Sequence, residues 1–240
     1  MKHKHLILAL VSGLVISGGA QATLIDRGSG LIYDDVLNIT WLQDANYAKT
    51  SGYDADGRMN FYAAITWAAN LSYYDSVRGV TYSDWRLPTM VNTDFYADCN
   101  YAYSGTNCGY NVDTANSEMA HLYFVSLGNQ SDYTTTGAKS GAYAGGTNRT
   151  STLDNIGPFI NLQSYVYWSG QEVQVDSFEA WAFHTDIGAQ YPDYMGRNLY
   201  AWAVRPGDVA AAPSGNVPEP ATLMLLGLGM VGLGWTRRRG

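Results

Sequence analysis

Apolar positions Phe61, Ala64, Ile65, Ala68 and Leu71 recur at three- and four-residue steps. That spacing gathers them on one face of a helix, and Asn60 just ahead can cap its first turn. A second helix is expected over Ser117–Leu127, capped by Asn116 or Ser117 and stopped by Gly128-Asn129. Met119, Leu122, Tyr123 and Ser126 form its stripe, with Val125 and Leu127 at the edges. Elsewhere the pattern is that of short strands. Leu31–Trp41 mixes apolar and polar residues without helical spacing and predicts a strand, or a hairpin turning near Asp34-Asp35. Tyr165–Ser169, Glu179–Thr185 and Leu199–Arg205 predict three more strands. In these, Trp181 and Phe183 alternate with Ala180 and Ala182, and Tyr200, Trp202 and Val204 with Ala201 and Ala203. The connections are long, polar and Gly- and Asn-rich, notably the one between the helices and Ser131–Asn155.

The two ends follow another logic. Met1–Ala22 has the parts of a secretory signal: Lys2 and Lys4, an apolar run over Leu6–Ile16, and Ala20-Gln21-Ala22 for cleavage. At the other end Pro218-Glu219-Pro220 precedes an apolar run, Ala221–Trp235, and then Arg237-Arg238-Arg239. Fifteen helical residues span roughly 22 Å, short of the roughly 30 Å hydrocarbon core, so crossing would lean on snorkelling arginines. The expected organisation is a signal peptide (1–22), one domain (23–207), a linker (208–216) and a sorting segment (217–240). The chain carries 14 Lys+Arg against 21 Asp+Glu. Removing the end segments leaves 9 bases against 20 acids. A net charge of about −11 argues against nucleic acid as a partner, because phosphate binding needs a basic stripe. Tyr is unusually frequent, at 19 residues.

The C-terminal arrangement resembles the PEP-CTERM sorting signal of Gram-negative bacteria that make extracellular polysaccharide. The resemblance implies that an exosortase recognises Pro218-Glu219-Pro220 and removes the transient membrane span, with Arg237, Arg238 and Arg239 held on the cytoplasmic side. Within the domain, Asn70-Leu71, Ser83-Asp84-Trp85-Arg86-Leu87-Pro88-Thr89, Tyr167-Trp168-Ser169 and Ala201-Trp202-Ala203-Val204-Arg205 occur in that order. With Gly30–Asp35 and Leu37–Trp41 before them, they resemble the DUF1566 family, also described as the C-terminal domain of Legionella collagen-like protein. That resemblance covers about Asp26–Gly207. It implies an α+β, C-type-lectin-like fold: two helices, a small twisted antiparallel sheet, termini brought together and long irregular loops.

Candidate chemistry is sparse. Cys99 and Cys108 are the only cysteines, and an exported chain makes a disulfide between them the expectation. Closing a loop of about ten residues would contribute on the order of 2–3 kcal/mol. His121 and His184 are too few and too far apart for a zinc site, and no nucleophile motif accompanies either. Asp54-Ala55-Asp56-Gly57 resembles the start of a calcium loop, but Arg58 and Ile65 stand where further ligands belong. Asp54 and Asp56 therefore read first as a capped turn and only second as a calcium site. No other cofactor is implied. The sugar-binding triplets of calcium-dependent C-type lectins do not occur. Arg86 and Arg205 are expected to hold loops through carboxylates or carbonyls, and Trp85, Trp168 and Trp202 to lie in the core.

These readings favour an exported, non-enzymatic binding module at the cell surface or in the extracellular matrix, with polysaccharide or a matrix protein as ligand. The rivals are a glycan-acting enzyme on the same fold and a purely structural matrix protein. Signal peptidase and exosortase are the expected processing partners. The candidate ligand site is Thr185–Asn198, with Asp186, Gln190, Tyr191, Asp193, Tyr194 and Asn198. Gly188, Pro192 and Gly196 mark it as a loop that shows two tyrosine faces to solvent. It also reads as an ordinary solvated hairpin loop, in which case Ser131–Asn155 is the next place to look.

Overall fold

A computed structural model describes residues 23–90, 103, 106–143, 151–173 and 178–209. The signal segment, Cys99, the linker from residue 210 and the whole sorting segment lie outside the described residues. The rest is α+β, mostly sheet with few helices.

Four strands form the first sheet: β1 (Leu24–Asp26), β2 (Leu31–Asp34), β3 (Ile39–Leu42) and, much later in the chain, β12 (Val204–Pro206), in the order β1-β2-β3-β12. Of the strand and the hairpin expected over Leu31–Trp41, the hairpin is what forms, as β2–β3. Its turn is fixed by Asp34, fully buried, whose Oδ1 accepts from the backbone N–H of Val36 and Leu37. A short helix, α1 (Tyr47–Thr50), leads to β4 (Arg58–Met59) and the predicted helix α2 (Phe61–Ala69). Asn60 caps α2 as expected, its side chain accepting from Ala63 N at 2.9 Å. A separate hairpin, β5 (Tyr73–Asp75) with β6 (Val80–Tyr82), follows.

The larger sheet has six strands: β4, β7 (Gly109–Tyr110), β8 (Val166–Glu172), β9 (Glu179–His184), β10 (Ala189–Tyr194) and β11 (Leu199–Tyr200), in the order β4-β11-β8-β9-β10-β7. Its β11–β8 pair is parallel. A single small antiparallel sheet therefore understates the architecture. The predicted strand Leu199–Arg205 also divides: its two ends serve different sheets, and Ala201-Trp202-Ala203 between them dives through the core. Trp202 lies 4.8 Å from both Trp41 and Phe159, ring centre to ring centre, and its indole N–H donates to Leu42 O at 2.8 Å. Period-two alternation cannot reveal such a crossover, because the same small and large residues suit either use.

The second helix starts where the cap was expected, with Ser117 Oγ accepting from Ala120 N. After α3 (Glu118–Ala120), however, the chain widens into a π-helix, His121–Ser126. The Leu127 N–H reaches back five residues to Leu122 O at 2.9 Å. A wider turn rotates successive side chains less, so Tyr123 and Phe124 both meet Phe183, at 5.3 and 6.0 Å. It also lets Ser126 Oγ donate to the buried Asp34.

The segment Trp85-Arg86-Leu87-Pro88-Thr89 ties these parts together. Arg86 exchanges two backbone hydrogen bonds with Val204 of β12, and Pro88 O accepts from Gly170 N of β8. The Arg86 guanidinium makes two 2.7 Å bonds to Glu118 on α3, and Glu118 Oε2 also accepts from Thr89 N. Trp85, Trp168 and Trp202 are all core residues, and Arg205 pairs with Asp84 at 2.8 Å. Glu118→Gln removes the charge that satisfies three donors, and is expected to lower stability by about 1–3 kcal/mol in urea unfolding. A loss under 0.5 kcal/mol would show that this junction holds without the carboxylate.

Candidate functional site

Thr185–Asn198 is not one loop. Residues Ala189–Tyr194 form β10, paired along their whole length with β9. The turn signals misled for identifiable reasons. Gly188 is the hairpin turn, with φ +63° and no room for a Cβ beside Ser131. Pro192 sits inside the strand opposite Trp181, where among the described residues the other edge of β10 is unpaired, since β7 covers only Ala189 and Gln190. Proline is tolerated at such an edge, since no partner needs its missing N–H.

The strand assignment divides the candidate residues. Side chains alternate along a strand, so Tyr191 and Tyr194, three apart, point to opposite faces. Gln190 is buried and structural: its amide oxygen accepts from Ser117 Oγ and its NH₂ donates to Asn107 O, both at 2.7 Å. Asp193 is held by Arg197 at 3.1 Å and accepts from Tyr194 N. Asp186 stands 3.7 Å from His184 Nδ1 at the turn. Tyr191 packs edge-on against His184 and Tyr110. Asn198 is exposed, and Tyr194 is the one aromatic of the group that presents most of its ring to solvent, at 57% exposure.

Tyr194 belongs to a different constellation. With Tyr62 from the first turn of α2 and Phe178 just before β9, it walls a groove of about 470 Å³, lined also by Asn60, Met195 and Gly196. Tyr62 is 59% and Phe178 78% exposed, so three large rings stand in solvent around one depression. The backbone beneath them is fixed. Phe61 N donates to Met195 O at 3.0 Å, and Met195 N donates to Phe178 O at 2.8 Å, stapling the three wall segments to one another. Gly196 lets the Tyr194 ring lie down, since a Cβ there would come within 2.6 Å of it. Sequence reasoning missed Tyr62 and Phe178. An exposed aromatic inside an amphipathic helix was the available signal for Tyr62; Phe178 had none.

On the opposite face lies a second tyrosine assembly. Tyr103, Tyr110, Tyr133 and Tyr143 contact one another at 4.8–5.7 Å, with Lys139 over the Tyr143 ring at 4.2 Å. This is where the alternative stretch Ser131–Asn155 contributes. The rings spend much of their area on each other, and burial pushes the Tyr110 phenol above its usual range. The Asp54 carboxylate accepts from the N–H groups of Asp56 and Gly57, and Asp56 is clasped by Arg58 at 2.6 Å. The Arg58 hydrogen bonds hold the Asp56 carboxyl below the ordinary carboxylate range. A calcium ion there would have to displace a guanidinium, which favours the capped turn. Among the described residues, no three His, Cys, Asp or Glu side chains are grouped to hold a metal. Cys108 is fully buried against Met90, Val173 and Trp181, and no described cysteine is free; Cys99 lies outside the described residues, so the pairing stands as an expectation.

Comparison with family models matches the PEP-CTERM protein-sorting motif at residues 216–239. Comparisons with curated proteins and with solved structures give no match. The motif marks an exported protein whose sorting is membrane-associated and handled by an exosortase.

Burial of His184 lowers its pKa from 6.5 against the opposing pull of Asp186 and Asp193. A lowered histidine favours the folded state fully above its unfolded value and loses that contribution as pH falls through its folded value. The imidazole is expected to titrate below pH 6.5 in an NMR pH series, with stability declining over the same acidic interval. A midpoint above 6.5 would mean that the two carboxylates outweigh burial.

Proposed function

We propose that this chain is an exported, non-enzymatic binding module. It would carry a C-type-lectin-like domain to the cell surface or extracellular matrix and hold polysaccharide there. The supporting observation is the Tyr62–Phe178–Tyr194 groove. Large aromatic rings left in water on a rigid backbone are costly unless something covers them, and flat rings suit the C–H face of a sugar. Asn60 and the peptide groups at Gly196 give the adjoining hydrogen-bond capacity that hydroxyls need. A matrix protein partner would use the same rings; the test below separates the two by the immobilised ligand. The N-terminal segment is read as a signal peptide removed by signal peptidase, and the domain as non-catalytic.

Phe178→Ala combined with Tyr194→Ala is expected to cut retention on an immobilised bacterial exopolysaccharide about tenfold, two ring contacts at roughly 0.5–1.5 kcal/mol each. The thermal midpoint should move by less than about 2 °C, because both rings are solvent-facing. Tyr191→Ala, on the other face, should leave retention intact. A folded double variant that is retained like the parent would remove the groove from the reading; loss of binding to a purified matrix protein alone would shift the ligand to that class.

Sorting has its own test. Intact mass spectrometry of the exported protein should show loss of the Leu223–Arg239 stretch. Changing Pro218 and Pro220 to Ala should leave that stretch attached and the protein membrane-bound. Processing of the double variant at the native rate would dismiss Pro-Glu-Pro as the recognised element.

A further inference from the structure

The charge inventory of the domain singles out one residue. All six arginines among the described residues, Arg27, Arg58, Arg78, Arg86, Arg197 and Arg205, are paired with carboxylates. Lys139 lies over the Tyr143 ring. Lys49 has neither partner, although acids outnumber bases across the domain. Its side chain lines a cavity of about 370 Å³ far more polar than the aromatic groove, together with Asn46, Asp56, Arg58, Gln163 and Tyr200.

Each wall has a structural reason to stay in place. Lys49 and Thr50 close helix α1, their N–H groups donating to Asn46 O. Arg58 is fixed in β4, paired through Tyr200 of β11 in the sheet and with its guanidinium facing the Tyr165 ring at 6.0 Å. Gln163 is anchored by Tyr167 Oη, which accepts from its backbone N–H at 2.8 Å. Asn46 is only 5% exposed, yet its Oδ1 finds no hydrogen-bond partner. That oxygen is shut away from solvent against Gly57, where a Cβ would come within 1.8 Å of it, so Asn46 shapes the wall without turning the oxygen to a ligand.

We propose that this cavity is a second binding site, for a sugar bearing a carboxylate. Lys49, Arg58 and Asp56 leave one uncompensated positive charge, which matches a monoanion. A phosphate dianion would bring the second charge against Asp56. The neutral groups around that charge are amides, a threonine hydroxyl and a phenol. They are donors and acceptors of the kind a ring of hydroxyls satisfies, and Tyr200 provides a partly exposed face for the ring itself. The site is distinct from the groove and does not depend on it.

The test is calorimetric titration of the purified full-length protein, in mild detergent, with galacturonate, a galacturonate tetramer and their neutral galactose counterparts. The uronates are expected to bind at least tenfold more tightly than the neutral sugars and to weaken with added salt. Lys49→Met should abolish that preference, Lys49→Arg should keep most of it, and neither should move the thermal midpoint because Lys49 is exposed. The Phe178/Tyr194 double variant should retain it in full, which separates failure here from failure of the groove. Tetramer bound more tightly than monomer assigns the ligand to a polymer; equal affinity assigns it to a free sugar acid. No uronate preference, a preference unchanged in Lys49→Met, or acetate competing as well as galacturonate would each overturn the proposal.

Discussion

The Arg86–Glu118 pair is the point on which the architecture turns. Five residues, Trp85–Thr89, run through the molecule without belonging to a long strand, yet they bond to β12 of the first sheet, β8 of the second and the start of α3. Backbone bonds alone would let the segment slide. The bidentate geometry of guanidinium on carboxylate fixes both distance and angle, so it holds the segment that bonds to both sheets against the start of α3. Glu118 also stands in the first turn of its helix, where a negative charge is favoured.

How much of this could be seen in the chain depends on whether a residue acts locally. Asn60 and Ser117 cap what they precede, so both helix starts were legible. Asp34 was legible only as a turn: that it also reaches Ser126 is a contact between residues 92 positions apart. The π-turn over His121–Ser126 leaves no mark in the spacing, because it is chosen by what Tyr123 and Phe124 must both touch. Trp202 shows the limit most plainly. Its neighbours alternate like a strand, while its partners, Trp41 and Phe159, come from the first sheet and a distant loop.

The residues of the candidate stretch are parted for the same reason. Tyr194 was singled out as a solvent-facing aromatic near the last strands, and it is. Its neighbours in sequence proved to be occupied: Gln190 by Ser117 and Asn107, Asp193 by Arg197. Its neighbours in space, Tyr62 and Phe178, come from elsewhere in the chain. Polar residues between turn signals suggested a loop, but a hairpin edge tolerates Pro192 as readily as a loop does. Lys49 was legible only by elimination, once the partners of every other described cation were known.

The ion pair between Arg27 and Asp208, two bonds of 3.0 and 2.5 Å, joins the chain just after its first strand to the chain just after its last. Entry and exit therefore share a single doorway. A domain closed at both ends by one pair cannot fray at either end alone, because peeling off the first strand or the last breaks the same two bonds. The two recessed surfaces described above are built from the Asp56–Tyr62 stretch and its neighbours, so neither draws on the Arg27–Asp208 closure.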